Sequence, residues 1–221
     1  MDIGIQNSTR EAVITPLPIG WLGRADMPPA LPAWASIDAL TTTQLVNLQA
    51  QIGYNLSGWD YNKIGTDNQL GRYQFTPAVL ESYGLLAVGS NASYGTDCVN
   101  YKTCWRPVTI KKTTSSYANY IYNADSINSF LNHTTGQEHL AYQVIYDLYN
   151  ELLLNTGIQT TDAADVVAGM ISVAWVLGVG TAPTSTNLTG TGAYAWRYFN
   201  IGSAGSTYYN SGRYAITVLS Q

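Results

Sequence analysis

Between residues 42 and 55 the side chains Leu45, Leu48, Gln49 and Ile52 recur at the i, i+3, i+4, i+7 spacing of a helix with one buried face. One of the threonines Thr41 to Thr43 is placed to cap it, and Gly53 loosens its last turn. The pattern then breaks into a polar stretch, 57–70, with turn formers at Gly58, Asn62, Gly65, Asp67 and Asn68. Thr76-Pro77 starts a second, short helix, with a hydroxyl cap and a proline in the first helical position, and Gly84 stops it. Residues 86–123 hold no sustained period and read as an irregular insertion; helices return near Asp125. Thr135-Gly136-Gln137-Glu138 has the form of a capping box, and Leu140, Val144, Leu148 and Leu152 line the helix behind it, with Ile145 beside them, as far as Gly157. Thr161 is the expected cap of the next helix, with Asp162 and Asp165 in its positively polarised first turn. From Val166 to Leu177 that helix is apolar nearly all round, so it is expected at the centre of the fold. A Thr/Ser/Gly loop, a short helix near Ala193 to Phe199 and a Gly- and Tyr-rich tail complete the chain. The expected class is therefore mainly α.

Residues 1–40 behave differently. Pro16, Pro18, Pro28, Pro29 and Pro32 fix φ and remove backbone donors, which predicts an extended arm ahead of a domain over 41–221. The arm also carries Leu17, Trp21, Leu22, Leu31 and Trp34, more large apolar groups than a solvated tail holds. Ordering it costs about 1–2 kcal/mol per residue in backbone entropy. Part of it is therefore expected to dock on a neighbouring subunit.

Composition sharpens this expectation. Only 11% of the 221 residues are charged, against about 25% in ordinary soluble domains, and 17 tyrosines help to fill the difference. A weakly charged, tyrosine-rich surface suits burial between subunits. The net charge of −4 leaves no basic stripe for nucleic acid. The N-terminus lacks the basic and apolar segments of an export signal. The apolar run from Val166 to Gly180, 15 residues, is shorter than the roughly 20 that span a bilayer. Cys98 and Cys104 are the two cysteines, spaced to close a small loop as a disulfide or to remain two buried thiols. Neither His133 nor His139 stands at a metal-ligand spacing from them, so no metal or cofactor is expected.

One stretch points to chemistry. Residues 54–75, YNLSGWDYNKIGTDNQLGRYQF, run from a helix end through S-G and Y-N to G-R-Y-Q-F just before a new helix. This order resembles the core of the lysozyme-like superfamily, and most of all the lytic-transglycosylase-like peptidoglycan hydrolases of tailed phages. FLNHTTGQEHLAYQVI, VVAGMISVAWVLGVGTA and GTGAYAWRYFN resemble later segments of the family in the same order, so the likeness covers about residues 42–200. It implies a lysozyme-like helical domain with small β-structure in the 57–75 loop.

In that family the residue before S-G is the glutamate that protonates the glycosidic oxygen, and here it is Leu56. Cleavage needs a carboxylic acid at that oxygen, and leucine has none. Asp60, four residues on, is the nearby carboxyl, with two readings: a displaced acid or an aspartate capping its own loop. The resemblance places Ser57, Gly58, Trp59, Tyr61, Gly71, Tyr73 and Gln74 along the substrate groove. For Tyr73 and Gln74 the alternative is packing of a decayed groove wall, and for Trp59 and Tyr61 it is anchorage in an interface rather than stacking on sugars. The reading that accounts for Leu56, the low charge and the arm is a catalytically degenerate structural component of a phage tail or baseplate. Such a subunit would assemble in the host cytoplasm, reside in the virion and contact other tail subunits through its arm. Two alternatives differ in class: an active virion transglycosylase or muramidase, and a glycan-binding module that retains peptidoglycan affinity without the chemistry.

Overall fold

The computed structural model describes residues 36–66, 69–83, 108–109, 123–124, 127–155, 157–177 and 202–220. The elements are α1 (Thr42–Ser57), α2 (Pro77–Ser82), β1 (Val108–Thr109), β2 (Asn123–Ala124), α3 (Ile127–Asn132), α4 (Thr134–Leu154), α5 (Ala164–Leu177) and α6 (Gly202–Thr217). The described part is mainly α, as the periodicity predicts. The cysteine pair, the segment holding Ala193 to Phe199, and residues 1–35 of the arm lie outside the described residues.

Helix α1 starts as expected. Thr41 is its cap, its hydroxyl accepting from the Gln44 N–H while the Gln44 side chain accepts from the Thr41 N–H, a reciprocal box. It ends at Gly58, which turns left-handed at φ 68° and returns its N–H to the Tyr54 carbonyl. The Lys63 ammonium adds a bond to the Leu56 carbonyl at 2.8 Å, a cation at the negative end of the helix. Thr76 caps α2 as read, its Oγ1 accepting from the Val79 N–H.

One local expectation is corrected. Helix α4 is capped by His133, whose Nδ1 accepts from the Gly136 N–H at 3.0 Å, and not by Thr135. Glu138 is thereby freed from the capping box, and it is buried. The Gly- and Tyr-rich tail, to which the sequence pattern assigns no element, forms the helix α6 over 202–217.

Helix α5 lies at the centre, with Val167, Ala168, Met170, Ile171, Ala174 and Trp175 all buried, and packs against both α4 and α6. Asp165 falls in its first turn; Asp162 precedes it, accepting from the Gln159 N–H at 2.8 Å. Glycine sets its distance from α6: a β-carbon on Gly212 would stand 2.2 Å from the Ala168 carbonyl oxygen. The last residues of the arm already belong to this core. Ile37 and Leu40 are buried, and the Tyr142 hydroxyl accepts from the Ser36 N–H at 2.8 Å and donates to its carbonyl at 3.1 Å.

Isolated bridges Ile64–Leu70 and Leu70–Phe75 order the 57–75 loop, while β1 and β2 pair antiparallel within the stretch expected to be irregular. Among the described residues, no helix is long and apolar enough to cross a membrane.

Candidate functional site

The 57–75 loop closes over a buried ionic cluster. Its backbone turns sharply at Gly71, φ 73°, and again at Gln74, φ 48°, so that Leu70 and Phe75 pair across a four-residue turn. Gly71 is needed there twice, for its positive φ and because a β-carbon would overlap the Gln137 amide oxygen. The turn carries Arg72 and Tyr73 inward, both fully buried. Helix α4 supplies their partner, Glu138, which is 1% exposed.

The Glu138 carboxylate is saturated. Its Oε1 accepts from the Tyr61 hydroxyl at 2.7 Å and stands 3.4 Å from Arg72 Nε. Its Oε2 accepts from Gln49 Nε2 at 2.7 Å and from the Tyr73 hydroxyl. Arg72 Nη1 donates to the Tyr61 oxygen at 2.9 Å, and the guanidinium lies 5.2, 4.9 and 5.8 Å from the ring centres of Trp59, Tyr61 and Tyr73. A desolvated cation among π faces gains attraction that water would otherwise screen. Arg72 Nη2 has no hydrogen-bond partner.

Gln137, next to Glu138, splints the assembly. Its Oε1 accepts from the Arg72 N–H at 2.9 Å, and its Nε2 donates to the carbonyls of Tyr61, Phe130 and Leu131, each at 3.1 Å. One pair of neighbours on α4 thus fixes α1, α3 and the loop.

Electrostatics follow from burial and one carboxylate. Desolvation and then the Glu138 charge hold both the Tyr73 and the Tyr61 hydroxyls well above the ordinary tyrosine range, so both stay protonated as donors. Burial works against the Arg72 charge, but the tyrosine oxygens and Glu138 outweigh it, and the guanidinium is held as a cation.

The resemblance-derived residues fall into three places. Trp59, Tyr61, Gly71, Tyr73 and Gln74 face or brace the cluster. The Trp59 indole is buried, bonded through Nε1 to the Ala50 carbonyl at 3.0 Å and stacked edge-on with Tyr54. Gln74 Nε2 donates to the carbonyls of Gly71 and Lys63. The expected open groove wall is therefore an interior wall at Trp59, Tyr73 and Gln74. Ser57 and Gly58 belong to the end of α1, Ser57 Oγ donating to the Gly53 carbonyl at 3.0 Å. Asp60 is exposed and accepts from the Asn62 N–H at 2.8 Å, the geometry of a loop-capping aspartate. Leu56 is half-buried in a small cleft with Ile52, Ser172, Trp175, Val176 and Tyr208, while the Tyr73 hydroxyl is turned to Glu138.

Arg72, Gln137 and Glu138 are the residues that sequence reasoning passed over. The available signal was charge: in a chain with 11% charged residues, Arg72 stands alone in an apolar and aromatic run, QLGRYQF.

Beside the cluster on α4, His139 is half-buried, and burial together with the neighbouring His133 lowers it from 6.5 to about 4. The unfolded chain then binds a proton that the folded one refuses between those values, so this contribution to stability is lost as pH falls from 6.5 to about 4. We expect urea midpoints to drop across that window and His139→Asn to flatten the drop; an unchanged slope in the variant would remove His139 as its source.

Comparison of the chain with protein-family models, with curated proteins and with solved structures finds no match in any of the three.

Proposed function

We propose that the chain is a structural subunit of a phage tail or baseplate, built on a lysozyme-like domain that has lost its catalytic acid. One observation carries this reading. Position 56, where the resemblance puts the acid, is a leucine in an apolar cleft at the end of α1. Two described carboxyls, Asp60 and Glu138, are committed elsewhere. Asp60 caps its own loop, and Glu138 is sealed beneath three hydrogen-bond donors and an arginine. A general acid must reach the proton's destination within hydrogen-bond distance, and a carboxylate 1% exposed offers a substrate no approach. Ile37 and Leu40 anchor the end of the arm on the chain's own core, and the apolar, proline-rich sequence ahead of them supports attachment to neighbours.

The test has two measurements. Full-length protein incubated with isolated peptidoglycan is expected to leave its turbidity unchanged, and quantitative mass spectrometry of purified particles is expected to find the chain in fixed, symmetric stoichiometry. Clearing of the peptidoglycan would return the chain to the hydrolases. Its absence from particles would end the virion reading.

A further inference from the structure

No further inference is drawn: the strongest candidate, the small cleft between the end of α1 and helices α5 and α6, lined by Leu56, Trp175, Val176 and Tyr208, holds an unpartnered buried hydroxyl, Ser172 Oγ, but that group faces Gly212 of α6, and nothing in the structure shows what covers the cleft.

Discussion

Glu138→Ala should cost about 3–5 kcal/mol of folding free energy, the loss expected when one member of a buried ion pair is removed. The reason lies in what is left behind rather than in what is taken away. Arg72 has no exposed surface and already has two buried nitrogens, Nε and Nη2, without a hydrogen bond, so without Glu138 its charge has neither solvent nor counter-ion. The Tyr61 and Tyr73 hydroxyls and Gln49 Nε2 lose their shared acceptor in the same step, and a buried donor left unmade, as at Tyr73 and Gln49, accounts for about 1–3 kcal/mol of such a loss before relaxation. Domain stabilities of about 5–15 kcal/mol leave little after such a loss. Glu138→Gln should be only partly milder, since its amide nitrogen would face donors where an oxygen now accepts. The double change Arg72→Met with Glu138→Leu should recover most of the loss, because it removes the charges together and fills the space with apolar groups. Urea denaturation of the four proteins checks this. A single Glu138→Ala effect below about 1 kcal/mol would mean that the carboxylate is not sealed as described.

The fate of Glu138 also shows what can and cannot be read from a chain. The Thr-x-x-Glu spacing at Thr135 is the pattern of a helix start, and a helix does start there, with its cap two residues earlier, at His133. The pattern misassigns the glutamate because nothing local distinguishes a cap from an inward-pointing carboxylate. Its partners are Gln49, Tyr61, Arg72 and Tyr73, between 65 and 89 positions away in sequence. Signals confined to one turn fare better. The threonines Thr41 to Thr43, Thr76-Pro77 and the apolar run from Val166 to Leu177 each give their helix to within a few residues, because hydroxyl, proline and apolar burial act locally. Within 54–75 the sequence marks which residues matter before it marks which way they face. Tyr73 and Gln74 are central to the loop, but they serve it from inside.

Gly212→Ala is expected to destabilise the protein, against the sign that helix propensity alone predicts. Alanine in the interior of a helix is favoured over glycine by about 1 kcal/mol. Helix α6 contains Gly202, Gly205 and Gly212 in 16 residues, which is why its sequence gives no clear helical signal. At Gly212 the structure sets packing against propensity. The added methyl would stand 2.2 Å from the Ala168 carbonyl oxygen and 2.5 Å from Ser172 Oγ. A hydroxyl can rotate away, but a carbonyl within α5 cannot move unless the two helices part. Forced overpacking of this kind costs about 1–3 kcal/mol, occasionally more, so the clash outweighs the propensity gain. Gly169→Ala supplies the comparison: there the nearest atoms, at 2.6 and 2.7 Å, belong to the half-buried Tyr209 side chain, and the nearest backbone atom, the Tyr209 carbonyl oxygen, is 3.1 Å away rather than 2.2 Å. Its cost should be smaller. Denaturant midpoints for both variants decide the matter, with the larger fall at Gly212. A stabilised Gly212→Ala would show that α5 and α6 do not approach so closely, and propensity would then govern α6 after all.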